Sequence, residues 1–347
     1  MKKRKIIFPA DELPHDNIIE WWYFNGHLTD QAGKQYSFMD CFFRTDPKRV
    51  NLPFLKHLPF KHSYFHHSLL SAINGKKFIS EVHPLVVISK DSFSKKDLFI
   101  NYAELGLNGY FNYVIEKVEE NRYHAKTQNF DLWFTNHKKP LLVGGDGFLD
   151  LGVNSTFYYS LTNMSVVGEV ILGNKRLPVK GIGWMDHQWA DAVYAPFKWN
   201  WFSIQLKNGV EIMAFIFIGQ NQKATKLVSI IAANGQQKNF FDPEIYATPN
   251  TWVSQQTGIS YNLNWRVRVE SEGVDLEINP LLEKQEMIFG PISYWEGPVA
   301  VKGRLGGKPA VGQGFMELVG NDQKKSKLAI QSKKISNDIK KRLKKYF

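Results

Sequence analysis

The chain has 347 residues, 43% of them hydrophobic and 14% aromatic, which suits two folded domains and excludes a disordered polymer. Its net charge of +11 sits at the ends: residues 321–347 carry ten Lys/Arg against Asp322 and Asp338, and Lys2, Lys3, Arg4 and Lys5 add four more, leaving 30 basic against 31 acidic groups between. A neutral body argues against nucleic-acid binding, and the single cysteine, Cys41, rules out an intrachain disulfide and a cysteine-built zinc site.

The opening MKKRKIIFPADELPHD offers only Ile6, Ile7 and Phe8 as an apolar run before Pro9, too short for a cleavable signal peptide, and no segment approaches a membrane span. A reducing, cytoplasmic setting is the expectation. HDNIIEWWYFNGHL (15–28) reads as a strand with Trp21, Tyr23, Asn25 and His27 on one face and Glu20, Trp22, Phe24 and Leu28 on the other. The first face, polar groups among aromatics, suits the wall of a cavity that orients a mainly apolar guest. QYSFMDCFF (35–43) alternates in the same way.

HSYFHH supplies His62, His66 and His67, but alternation separates His66 from His67, and no carboxylate or cysteine lies at ligand spacing. They read as surface or wall histidines, and no metal site is expected. VGGDGFLDLG is a glycine-rich turn with no helix behind it, and GxGxxG, GxSxG and P-loop patterns are missing, so no cofactor is expected. In GWMDHQW (183–189), Met185, His187 and Trp189 share one strand face, and Trp184, Asp186 and Gln188 the other. An imidazole among apolar neighbours is desolvated unless an acid supports it, and such a group can exchange protons near neutral pH. The plainer reading has His187 bonded to a backbone carbonyl and Asp186 capping a turn.

VEIMAFIFIG (210–219) and NWRVRVESEGVDLEI (264–278) continue the period-2 pattern, predicting a mainly β, antiparallel protein. An internal repeat refines this. WWYFNGHL (21–28) matches WNWFSIQL (199–206) at Trp21/Trp199, Phe24/Phe202 and Leu28/Leu206. VKGIGWMD (179–186) matches AVGQGFME (310–317) at Gly181/Gly312, Gly183/Gly314 and Met185/Met316, in the same order. Two tandem barrels follow, each closing its sheet edges: residues 1–193 and 194–320, with a tail at 321–347. In the tail, Leu328, Ile335, Ile339, Leu343 and Phe347 form a stripe among lysines. That pattern reads either as a basic amphipathic helix meeting an anionic membrane surface, which would make the protein peripheral on the inner face, or as a helix docked on the barrel.

EWWYFNGHL (20–28), FFRTD (42–46), STFYYSLTNM (155–164), VKGIGWMDHQW (179–189), WNWFSIQLKNG (199–209) and YWEGPVAVKG (294–303) together resemble the AttH-like and carotenoid 1,2-hydratase family of tandem lipocalin-like proteins. The resemblance implies two lipocalin-like barrels and gives the His-x-Trp pair, His187 and Trp189, a role in hydration, with Asp186 adjacent. It includes hydratases of acyclic carotenoids and of prenylated plant defence compounds, and pericyclases. The expected catalytic set is His187, Asp186 and Glu20; the expected guest-binding set is Trp189, Trp21, Tyr23, Asn25, His27, Tyr159, Trp199 and Trp201. The expected partner is a lipophilic small molecule. In the enzyme reading, His187 or Asp186 protonates an isoprenoid-type alkene, the cation rests against Trp189 and Trp21, and water adds with help from the same pair or Glu20. In the competing reading the barrel carries a lipid or pigment. The enzyme reading further requires His187, Trp189, Tyr23 and Glu20 or His27 to converge on one solvent-reachable cavity.

Overall fold

The computed structural model describes residues 1–50, 61–86, 96–106, 109–151, 155–192, 198–219, 223–289 and 293–320, together with 333, 336, 337 and 339–341. Met1–Leu142, Asp146–Leu149 and Asn154–Val193 form one compact unit; Val143–Gly145, Asp150–Val153 and Tyr194–Phe347 form another. The predicted tail helix falls almost wholly outside the described residues, and the positions described within it are helical. Among the described residues no helix is long and apolar enough to cross a membrane.

The first unit is built on twelve strands: β1 (Ile19–Asp30), β2 (Gln35–Thr45), β3 (Ser63–Ala72), β4 (Lys77–Val86), β5 (Phe99–Gly106), β6 (Gly109–Glu119), β7 (Arg122–Lys126), β8 (Phe130–Asn136), β9 (Leu141–Leu142), β10 (Phe148–Asp150), β11 (Ser155–Leu172) and β12 (Lys175–Ala190). They run in the order β4-β3-β2-β1-β12-β11-β8-β7-β6-β5, with β9 and β10 beside β11. The sheet curls until β4 faces β5 and β6 through side chains: His83 Nδ1 lies 2.8 Å from the Tyr102 hydroxyl, and the Tyr113 hydroxyl donates to Glu81 at 2.6 Å. Aromatic side chains fill the interior, among them Trp22, Phe24, Phe38, Phe42, Phe130, Phe134 and Tyr159.

The second unit repeats the plan with β13 (Lys198–Leu206), β14 (Glu211–Ile218), β15 (Ala224–Ile231), β16 (Gln237–Phe240), β17 (Glu244–Val253), β18 (Ser260–Val269), β19 (Val274–Pro280), β20 (Glu286–Met287), β21 (Tyr294–Leu305) and β22 (Lys308–Val319). Their order is β16-β15-β14-β13-β22-β21-β19-β18-β17, with β20 beside β21. The fold is thus the mainly β pair of curled antiparallel barrels that alternation predicts.

The repeat is exact in register. Phe24 pairs with Met185 across β1 and β12, and Phe202 with Met316 across β13 and β22; Leu28 faces Gly181, and Leu206 faces Gly312. Those glycines are required for a steric reason. A Cβ on Gly181 would collide with the His27 carbonyl oxygen and stand 2.9 Å from Leu28 Cα, and one on Gly312 would meet Gln205 and Leu206 in the same way. Because the obstacle is paired backbone, Gly181→Ala is expected to cost about 2–3 kcal/mol in a urea unfolding curve. A loss below half of that would show that β1 and β12 can separate freely.

Candidate functional site

The β1–β12 register sets Trp22 opposite His187 and Tyr23 opposite Asp186, so the inner wall carries Glu20, Trp22 and Phe24 together with Met185, His187 and Trp189. His187 is fully buried. Trp22 stacks on it at 4.8 Å between ring centroids, and Trp189 tilts against it at 4.8 Å. Its two nitrogens are both engaged: Nε2 lies 2.9 Å from Glu20 Oε1, and Nδ1 lies 3.3 Å from the Tyr159 hydroxyl.

Glu20, 1% exposed, is the hub. His15 Nδ1 approaches the same Oε1 at 2.7 Å, while the His15 backbone N–H and the Arg44 guanidinium donate to Oε2 at 2.9 and 3.0 Å. The chain of contacts runs outward from His15 Nε2 to Asp11 at 2.9 Å, and Asp11 accepts two bonds from Arg4 at 2.6 Å each. His15 also lies flat on Trp189, 3.9 Å between centroids and 6° between planes. The segment before β1 therefore covers the centre. Its 3-10 turn Ala10–Glu12 sends Glu12 to Tyr123 and Lys117, and Phe8 stands edge-on to Tyr159 at 4.8 Å.

The electrostatics follow from this geometry. Burial would raise the Glu20 pKa, but the bonds from His15 and His187 outweigh it and hold Glu20 below the ordinary carboxylate range. Desolvation pushes His187 below the usual histidine value, with Glu20 opposing. Burial raises the Tyr159 hydroxyl well above its usual value. Near neutral pH the set is a carboxylate, a neutral imidazole donating from Nε2, and a protonated tyrosine facing the Nδ1 lone pair. Such an arrangement takes up a proton at Nδ1, and the carboxylate behind it stabilises the imidazolium that forms.

The residues expected at the site divide into two groups. Glu20, His187, Trp189 and Tyr159 stand together on the inner wall. Trp21, Tyr23, Asn25 and His27 occupy the other face of β1, and Asp186 the other face of β12, so the face of β1 that joins His187 on the inner wall carries Glu20 and Trp22, not Trp21 and Tyr23. Asp186 accepts bonds of 2.7 Å from the Tyr158 hydroxyl and from Trp184 Nε1. Trp199 and Trp201 likewise lie opposite the core face of β13, where Phe202 and Ile204 point inward, and Trp199 Nε1 donates to Glu317 at 3.0 Å. Nor do His187, Tyr23 and His27 line one space: among the described residues His187 is buried and enclosed by rings on the inner face, while Tyr23 and His27 lie on the opposite face of β1. An open cleft of about 460 Å³ reaches Phe8 and Lys117, one ring away from Tyr159.

Asp186 gives a separate check on this division of faces. Burial raises its pKa to about 7, against hydrogen bonds that lower it. A native value above the unfolded one means that the native state holds the extra proton, so stability falls as pH rises from about 4 to about 7. Asp186→Asn is expected to remove that slope, seen as a smaller loss of Tm between about pH 5 and about pH 8. An unchanged slope would place the titration elsewhere.

His15, Asp11, Arg4 and Arg44 complete the centre without having been expected there. HDNIIE and FFRTD contained His15 and Arg44, but His15 precedes the strand and Arg44 lies on β2, so only tertiary pairing brings them to Glu20. Of the histidines read as surface or wall residues, His66 and His67 are buried on opposite faces of β3, as alternation separates them, and His62 meets Arg44 at 2.7 Å. Among the described residues, His15, Glu20 and His187 each place one ligand atom within 4.8 Å of the others. Arg44 beside Glu20 sets a fixed positive charge against any cation there.

Comparison with known proteins agrees with the fold. The AttH-like family model matches residues 1–321. An AttH crystal structure from Nitrosomonas europaea superposes with a TM-score of 0.77 at 25% identity, covering 92% of this chain and 98% of that one. Kievitone hydratase from Nectria haematococca superposes with a TM-score of 0.72 at 19% identity, covering 91% and 93%. The dehydratase asqC of Emericella nidulans is 24% identical over 225 residues, 60% of this chain and 62% of that protein's length.

Proposed function

Because the chain belongs to the AttH-like family, we propose that it is a cofactor-independent hydro-lyase that adds water to, or removes it from, a lipophilic isoprenoid-type substrate held in the first barrel. The observation that supports this most is the buried Glu20–His187–Tyr159 set, backed by His15 and Arg44. At the matching positions of the second barrel stand Lys198 and Leu318, neither of which supports proton transfer of this kind. The relatives point the same way: one is a dehydratase and another is kievitone hydratase.

In this reading His187 is a base rather than the leading proton donor. In hydration it takes the proton from an attacking water and, as the imidazolium held by Glu20, returns it to the neighbouring carbon; in dehydration it takes the proton from the carbon beside the departing hydroxyl and returns it to that hydroxyl, which leaves as water. Trp22 and Trp189 offer ring faces to developing positive charge. The guest reaches Nδ1 from the cleft at Phe8, by displacing that ring from Tyr159. The complete burial of His187 favours the carrier reading instead, and one experiment separates the two. Extracting the purified protein with organic solvent and identifying the bound lipophile by mass spectrometry supplies the guest. The enzyme reading requires that this guest, or its hydrated or dehydrated form, be turned over by the wild type and not by His187→Ala. Binding without turnover assigns a carrier.

A further inference from the structure

The first barrel holds a second polar cluster. His66 of β3 pairs with Phe42 of β2 on one side and with His83 of β4 on the other. His187, Trp22, Phe42, His66 and His83 therefore stand at one level on five neighbouring strands. His66 Nε2 lies 2.5 Å from Asp40 Oδ1, His66 Nδ1 lies 2.6 Å from the Tyr102 hydroxyl, and that hydroxyl lies 2.8 Å from His83 Nδ1. With Asp40 ionised the bonds run one way: His83 donates to Tyr102, Tyr102 to His66, and His66 to Asp40.

The chain ends on an acceptor with capacity to spare. Asp40 is 1% exposed, and its Oδ2 has no hydrogen-bond partner among the described residues. A carboxylate only accepts, so this oxygen calls for a donor. Asp40 lines a narrow gap with Phe42, His66, Ile100, Tyr102 and Tyr113. The gap is too small for a water molecule. Water buries no apolar surface and so gains nothing that would offset parting these rings; an apolar body carrying a hydroxyl does gain it. Lys126 lines the same gap and opposes a second cation, which favours a hydroxyl over an ammonium.

We propose that Asp40 Oδ2 receives the hydroxyl of a neutral lipophile whose body lies along Phe42 and Trp22 and whose other end meets His187. The inference rests on the proposed function only in placing the guest inside the first barrel. Three strand spacings separate the two centres, at most about 14 Å along the wall, so the substrate class is a lipophile with a hydroxyl remote from the reacting carbons.

The test uses p-cresol, p-methylanisole and p-xylene, rings of one shape that donate, only accept, or do neither. Each is titrated into the full chain, with affinity and the imidazole ¹⁵N resonances of His66 as readouts. We expect p-cresol to bind at least tenfold tighter than the other two and to shift His66, and Asp40→Asn to reduce the preference to threefold or less. The wild-type series decides the matter even if that variant does not fold. Equal binding of all three, no binding of any, or p-cresol binding that leaves His66 unmoved overturns the proposal. Preference without His187-dependent turnover leaves this corner standing and removes the hydro-lyase reading; turnover without preference does the reverse.

Discussion

Glu20→Ala is expected to lose about 3–5 kcal/mol of stability, the cost typical of removing one partner from a buried ionic cluster. The loss is large because Glu20 serves four donors at once. Without it the His15 ring and backbone N–H, His187 and Arg44 all remain in a region with almost no solvent. For a unit of this size the fall in Tm is on the order of 10 °C. Glu20→Gln keeps the volume and one acceptor oxygen, and should lose less. The pH dependence has a definite sign. Glu20 is held below its unfolded value of 4.5 and His187 below its unfolded value of 6.5. In both cases the unfolded state binds more protons between the two values, so the contribution of this pair to stability declines as pH falls below 6.5 and again below 4.5, opposite in sign to that of Asp186. The difference between wild type and Glu20→Ala should accordingly shrink in acid. A thermal melt of Glu20→Ala within about 2 °C of wild type at neutral pH would mean that the cluster contributes nothing to the fold.

The second large effect is on chemistry. With the extracted guest as substrate, His187→Ala is expected to lower turnover by about 10³-fold, within the range general acid–base groups supply, while guest affinity stays within a few-fold. Because burial favours the neutral ring and the proposed base is that neutral ring, the wild-type rate should rise with pH along an acid limb whose midpoint lies below 6.5. A limb of the opposite slope, with turnover lost as His187 deprotonates, would return the ring to the role of proton donor. Undiminished turnover in the variant would remove it from the reaction.

Much of this was legible in the sequence, for definite reasons. Period-2 runs such as VEIMAFIFIG show strands because one face must be apolar, and the matched glycines show a duplication because backbone contact tolerates no side chain at Gly181 or Gly312. The pairing of Glu20 with His187 was within reach, since both stood in motifs carrying the family resemblance. The inward face of β1 was not legible. Both faces of that strand are largely buried from Trp22 to Leu28, so alternation has no polar side to contrast with the apolar one. His15, Asp11 and Arg4 escaped because an irregular lead-in segment has no period to read. Asp40 and His66 belong to different strands and meet only through register, which the sequence does not print.

The two barrels share one register but not one chemistry, and this makes the molecule its own blank. Phe24 and Phe202, Met185 and Met316, Gly181 and Gly312 are what either copy needs merely to exist; Glu20 against Lys198 and His187 against Leu318 are what, under the proposed function, only one copy needs in order to act. Fold and reactivity are therefore written in separable letters, and a graft of the second pair into the second copy asks for no change in the first.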